Sequence, residues 1–186
     1  NGLSTPHTYQ SNPYTWLAQI RPTSFHWANG EAVTGCPSGN CATNVVALGN
    51  PILWWIGIGA LMLVVWGTFY YRNWRAGVIL TGYLALYVPW LGYAHRTIFT
   101  FYTVAFAPFV ALAVTWMIGL LASAVAPDGQ PSILPMPRRT EIAGRVMAVV
   151  LTLTILACAL WFLPLWRADA VDYDFWRAHM WLPTWI

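Results

Sequence analysis

The 186-residue sequence is far more apolar than that of a water-soluble domain, with 58% hydrophobic and only 8% charged residues, and its mean hydropathy is +0.53. A fully hydrated surface can hardly be built from this composition, which therefore predicts an integral membrane protein. All nine basic residues are arginines spread along the chain, so the net charge of +3 provides no concentrated basic face. We expect no nucleic-acid partner.

Residues 1–50 are polar and aromatic and contain several prolines. We expect them to form an extracytoplasmic loop segment containing a short interfacial helix or an irregular path along the membrane surface. The chain opens on NGLSTPHTYQ, without an initiator methionine and without the basic start and apolar run of a signal peptide. These features predict that the sequence is the later part of a longer protein.

A pair of cysteines in this segment, Cys36 and Cys41 in GCPSGNC, encloses a short turn of small residues and proline. Such a loop suits a disulfide on an oxidising side of the membrane. Two unrelated free thiols are the alternative. A zinc site is less favoured because two close sulfurs lack a matching histidine pair, so no metal site is predicted.

Four later stretches are apolar and long enough to cross about 30 Å of hydrocarbon, which takes roughly 20 helical residues. Backbone amides in lipid must be paired within the chain, so these stretches are expected to be helices. The predicted fold class is therefore all-α integral membrane, with four transmembrane helices after the loop segment. The spans are expected at about residues 51–71, 76–93, 98–126 and 145–166.

The orientation follows from the arginines, since short cytoplasmic loops keep an excess of basic residues. Five arginines lie in the loops between the first and second spans and between the third and fourth, which are therefore expected to be cytoplasmic. The loop segment, the tight turn between the second and third spans, and an interfacial tail at residues 167–186 are then extracytoplasmic. The five are Arg72, Arg75, Arg138, Arg139 and Arg145.

Two charged or titratable side chains, His95 and Arg96, interrupt the apolar stretch YVPWLGYAHRTIFTF at the predicted outer turn. A guanidinium at headgroup depth can bind a phosphate through two parallel N–H bonds. Alternatively, Arg96 reaches ordinary lipid headgroups or caps a helix, and His95 is a surface residue at a turn. Arg21 in QIRPTSF has the same two interpretations.

Two carboxylates in the tail, Asp172 and Asp174 in VDYDFW, are candidates for outer catalytic groups. An acidic tail beside aromatic residues is more often a solvated face, and we favour that interpretation. The sequence also lacks a glycine-rich phosphate loop and the GxSxG and HExxH motifs of soluble enzymes.

Three stretches together resemble one family: ALGNPILWW, then YVPWLGYAHRTIFTFYTVAFAPF, then the closing MWLPTWI. Their order around four spans resembles the C-terminal four-span region of protein O-mannosyltransferases. The SNPYTWLAQIRPTSFHW segment and the GCPSGNC loop resemble the outer segment of the bacterial, actinobacterial-type members.

This resemblance implies part of a GT-C-class membrane glycosyltransferase that transfers mannose, with inversion, from a polyprenyl-phosphate carrier to Ser or Thr hydroxyls of exported proteins. It implies a multi-pass protein of the plasma membrane, in contact with lipid, the lipid-linked donor, a translocating protein acceptor and the protein export machinery. The family's catalytic acids lie in an earlier outer loop, so no catalytic residue is expected in this chain, and no cofactor is implied. Arg96 is the leading candidate for the carrier phosphate. The alternative is a non-catalytic membrane scaffold or partner-contact module.

Overall fold

The computed structural model describes residues 5–36, 39–122 and 138–186, and no statement about structure extends to the rest. Two strands precede the long helices, and a short strand and a short helix follow them. In chain order the elements are β1 (Thr23–Asn29), β2 (Cys41–Ala47), α1 (Pro51–Phe69), α2 (Trp74–Leu91), α3 (Ala107–Ala122), α4 (Arg138–Trp166), β3 (Val171–Asp172) and α5 (Tyr173–Ala178), with single turns of 3₁₀ helix at Pro13–Thr15, Gly30–Ala32 and Pro183–Trp185 and a longer one at Thr100–Ala105.

The chain divides into two compact units, which we call the sheet unit and the helical unit. The sheet unit consists of Asn1–Pro51, Trp90–Thr103 and Cys158–Ile186. The helical unit consists of Ile52–Pro89 and Val104–Ala157.

The sheet unit contains a three-stranded antiparallel sheet in the order β1-β2-β3. The prediction of an all-α protein is therefore wrong for residues 1–50 and for the tail. Strand β1 pairs with β2 over its length, with an irregular register between Ser24 and His26, and β2 pairs with the two residues of β3. Neither predicted alternative for the first fifty residues, an interfacial helix or an irregular path, includes this hairpin.

Two glycines of the helical unit lie very close to a neighbouring helix. A Cβ at Gly82 of α2 would lie 2.0 Å from a ring atom of Phe109 in α3, and one at Gly144 of α4 would lie 2.3 Å from the backbone oxygen of Leu121. Residues without a side chain let helices approach closely, and small residues are enriched where helices pack in lipid.

Two helical segments, Pro51–Phe69 and Ile142–Trp166, are long and apolar enough to cross a membrane, while Ala107–Ala122 is apolar but shorter. Proline and asparagine fix two helix starts. Pro51 occupies the first position of α1, where a missing N–H has no cost, and the Asn73 side chain accepts hydrogen bonds from the backbone of Arg75 and Ala76.

The predicted third span differs most from the structure. Residues 98–126 were expected to form one helix directly after a tight turn, but the first part is a 3₁₀ segment at Thr100–Ala105, and α3 begins only at Ala107. Pro108 stands in the first turn of α3, where its ring is tolerated. If the helix began further upstream, the ring would clash with a backbone carbonyl of the preceding turn. The part of the prediction beyond Ala122 lies outside the described residues.

Candidate functional site

Arg96 lies in the turn that follows α2, within the sheet unit. The turn is formed by backbone hydrogen bonds from Tyr93 to Trp90 and from Arg96 to Tyr93, at 3.0 and 2.9 Å. The guanidinium carbon of Arg96 lies 5.5 Å from the centre of the Tyr93 ring. Within the described part of the chain, this guanidinium has no hydrogen bond and no ion pair. Its five N–H donors therefore remain available to an anion.

The segment after Arg96 is fastened to the N-terminal segment by three polar contacts. The Thr97 hydroxyl donates to the Thr5 carbonyl at 2.6 Å, the Ser11 N–H donates to the Ile98 carbonyl at 2.9 Å, and the hydroxyls of Ser11 and Thr100 are hydrogen-bonded at 2.9 Å. These contacts hold the backbone of the Arg96 turn, while they leave the guanidinium unengaged.

Arg21 has a different environment, although it belongs to the same unit. Its Nε and Nη2 both donate to the Thr8 carbonyl, at 3.1 and 2.9 Å, and its Nη1 donates to the Thr184 carbonyl at 3.2 Å. Because three of the five donors are engaged, Arg21 joins the N-terminal segment to the tail. The Thr100 hydroxyl also donates to the Arg21 carbonyl, which links the Arg21 backbone to the segment after Arg96.

The third candidate, His95, is exposed, and its ring has no hydrogen-bond partner among the described residues. The structure thus places His95 and Arg96 in one turn and connects that turn to Arg21 through backbone groups. Of the three, Arg96 is the half-buried cation without an internal acceptor.

The carboxylates of the tail have local roles. Asp172 caps α5, its Oδ1 accepting from the Asp174 N–H at 2.9 Å, and Asp169 lies 3.6 Å from Arg167. Among the described residues, no group of three or more His, Cys, Asp or Glu side chains could hold a metal ion. Cys36 and Cys41 are joined by a disulfide with a Cα–Cα distance of 5.7 Å, which closes the turn just before β2.

Two buried polar residues were missed in the sequence. His179 is fully buried, with Nδ1 2.6 Å from the Phe175 carbonyl and Nε2 2.8 Å from the Trp161 carbonyl. Gln19 is 1% exposed, and its amide donates to the Trp16 carbonyl and accepts from the Gly49 N–H. Gln19 lies in the quoted segment SNPYTWLAQIRPTSFHW and His179 in none of the quoted segments, and nothing in the local sequence of either residue indicates its partners.

Two helical segments long and apolar enough to cross a bilayer agree with an integral membrane protein. Its family follows from a match over residues 1–185 to the C-terminal four TMM region of protein-O-mannosyltransferase. The chain belongs to this family, as the sequence motifs predict.

Similar proteins include those of three species that share the name polyprenol-phosphate-mannose--protein mannosyltransferase. The Mycolicibacterium smegmatis protein is 30% identical over 185 residues, and that of Mycobacterium tuberculosis is 27% identical over the same length; each match covers 100% of this chain and 34% of the relative. The Corynebacterium glutamicum protein is 25% identical over 180 residues, covering 96% of this chain and 32% of the relative. The chain thus spans about a third of the length of these relatives. No solved structure matched the chain.

Proposed function

We propose that the chain is the C-terminal membrane part of a GT-C-class glycosyltransferase that transfers mannose, with inversion, from a polyprenyl-phosphate carrier to Ser or Thr hydroxyls of exported proteins. The family match over residues 1–185 carries this proposal. The names of the relatives specify a polyprenol-phosphate-mannose donor and a protein acceptor for those proteins. A location in the plasma membrane and a contact with the protein export machinery belong to the same proposal.

The proposed membrane topology has four spans, with the loop segment, the Arg96 turn and the tail outside. The composition of the sheet unit supports it, because that unit gathers these three segments. Segments joined by backbone hydrogen bonds are expected on the same side of a bilayer, and such bonds join the loop segment to the segment after Arg96 and to the tail. The chain is then expected to cross an even number of times between β2 and the Arg96 turn, and again between that turn and β3. Since α1 and Ile142–Trp166 are each long enough to cross, α2 and α3 are expected to return the chain.

The proposed role of Arg96 is to bind the phosphate of the carrier at the outer face. Its guanidinium is free of internal acceptors within the described residues, and it stands in a turn held by backbone hydrogen bonds. As the acceptor oxygen attacks the anomeric carbon of mannose, the bond to the carrier phosphate breaks and negative charge develops on the phosphate oxygens. A fixed cation beside these oxygens stabilises that charge. A carboxylate acting as general base is expected in the part of the whole protein that precedes this chain.

Photolabelling of the full-length protein tests the proposed function. A polyprenyl phosphate with a diazirine next to the phosphate is expected to label residues 90–103, and the label is expected to decrease in Arg96→Ala. Arg177→Ala provides the control, since Arg177 is an exposed arginine of the same unit. Labelling confined to the part of the protein preceding Asn1 would instead favour a non-catalytic scaffold.

A further inference from the structure

A partly open cavity of about 270 Å³ lies within the sheet unit. The described residues that line it do not include those of the Arg96 turn. Aromatic rings form much of its wall, among them those of Trp27, Tyr173 and Trp176, and the polar side chains of Ser24, Asn29 and Asn44 also face it. The volume is just below the range of about 300–1,000 Å³ that is typical for drug-sized ligands. The cavity therefore suits a ligand with a single ring.

The local geometry of the sheet brings these polar groups together. Trp27 stands directly opposite Asn44 in the β1–β2 pair, and Ser24 stands opposite Val46. Residues two apart on β2 share a face, so Asn44 and Val46, and with them Trp27 and Ser24, lie on one side. Ser24 and Trp27 are three positions apart, and only the extra residue between Ser24 and His26 allows both to reach that side.

Several polar groups of the wall have unused hydrogen-bonding capacity. Asn44 is 6% exposed, and its Oδ1 accepts from the Ser24 hydroxyl at 3.1 Å, while its amide N–H₂ has no partner among the described residues. The Asn29 side chain does not cap the 3₁₀ turn that it precedes. Trp176 is 4% exposed, and its Nε1 also lacks a partner within the described part of the chain. The Trp176 Nε1 is a buried donor, and an unpaired buried donor is costly to a fold unless something satisfies it.

The side chains of the cavity wall are neutral. Among the described residues that line it, no side chain carries a charge, so these side chains offer nothing to neutralise a phosphate or a carboxylate. A neutral ligand with many hydroxyls fits better, because side-chain amides can donate to and accept from adjacent hydroxyls. One face of a pyranose ring presents C–H groups, which are attracted to the negative face of an aromatic ring.

We infer that this cavity is a binding site for a single neutral pyranose, the mannosyl group of a glycosylated protein being its ligand. The pyranose class follows from the aromatic rings, the unpaired amides and the absence of charge in the wall. The choice of mannose rests on the proposed function. Such a site holds the sugar of a product, or of an acceptor that already carries mannose, apart from the carrier phosphate.

Saturation-transfer NMR on the full-length protein in detergent, with methyl α-D-mannopyranoside as the probe, tests this inference. Saturable binding is expected. Trp27→Ala removes one aromatic wall and is expected to weaken binding roughly tenfold, and Asn29→Ala, at an exposed position, is expected to weaken it roughly threefold. Phe25→Ala is the matched control, because Phe25 is an exposed aromatic residue on the same strand that contacts Phe101 and does not line the cavity.

The outcomes separate the sugar site from the proposed function. Undetectable binding of the mannoside, or equal binding by the wild type and both cavity variants, overturns the inference even where mannosyl transfer is intact. Binding of an unglycosylated Ser/Thr peptide that depends on Trp27, without mannoside binding, also overturns it and identifies a peptide site. If Trp27→Ala fails to fold, Asn29→Ala decides the question alone. If the full-length wild type binds the mannoside but transfers no mannose, the result counts against the proposed function and leaves the sugar site intact.

Discussion

The contact between α3 and α4 gives the most quantitative prediction. A Cβ at Gly144 would lie 2.3 Å from the Leu121 carbonyl oxygen, whereas ordinary contacts begin at 3.4 Å, so Gly144→Ala requires a shift of about 1.1 Å. The obstacle is backbone, which cannot rotate away as a side chain can. Overpacking of this kind costs about 1–3 kcal/mol, and the better helix propensity of alanine returns up to about 1 kcal/mol. We expect a net destabilisation of up to about 2 kcal/mol.

Gly119→Ala is the matched control, because a Cβ at Gly119 in α3 meets no atom within 4 Å. This variant has the propensity gain without the clash, so its stability is expected to be unchanged or slightly higher. Thermal unfolding of the full-length protein in detergent measures both, with a melting temperature a few degrees lower for Gly144→Ala. Equal melting temperatures for the two variants would show that α4 does not approach α3 as described.

Three further predictions concern the sheet unit and the topology. His179→Ala removes a fully buried ring that contacts two backbone carbonyls and is expected to destabilise the protein by about 2–4 kcal/mol. His95→Ala, at an exposed position, is expected to have no effect on the melting temperature. Similar melting temperatures for the two variants would contradict the burial of His179. Replacing Cys36 and Cys41 with serine opens a short disulfide loop and is expected to cost about 2 kcal/mol by the chain-entropy relation, so an unchanged denaturation midpoint would count against the bond. In a background without other reactive thiols, an impermeant maleimide is expected to label His95→Cys in intact cells and Arg72→Cys only after permeabilisation; the reverse result would refute the proposed topology.

The long helices were the most predictable part of the fold. Helix α1 occupies Pro51–Phe69 and α2 occupies Trp74–Leu91, close to the predicted 51–71 and 76–93. An uninterrupted apolar run has few alternatives to a helix when its amides must be paired locally. Helix α4 starts at Arg138, earlier than the predicted 145, because polarity marks where a helix leaves the membrane and not where its hydrogen bonds begin.

The pairing of β3 in the sheet unit was not predictable, because its hydrogen bonds join distant parts of the chain, whereas the β1–β2 hairpin is local and was missed. Strand β2 pairs with β3 across more than a hundred residues, and no local pattern indicates that pairing. Contacts between distant parts of the chain also account for the difference between the two arginines. Before the family resemblance favoured Arg96, both arginines had the same two interpretations, but Arg21 donates to the Thr8 and Thr184 carbonyls, and these acceptors face it only in the folded chain.

Steady-state transfer of mannose to an acceptor peptide by the full-length protein tests whether the guanidinium of Arg96 binds the carrier phosphate. Arg96→Ala is expected to lower kcat/KM by roughly 10- to 100-fold, the effect of removing a hydrogen bond to a charged group. Arg96→Lys, which keeps the charge and loses the forked donors, is expected to recover part of that loss, and Arg177→Ala is expected to match the wild type. A wild-type kcat/KM in folded Arg96→Ala would show that Arg96 does not bind the carrier phosphate during transfer.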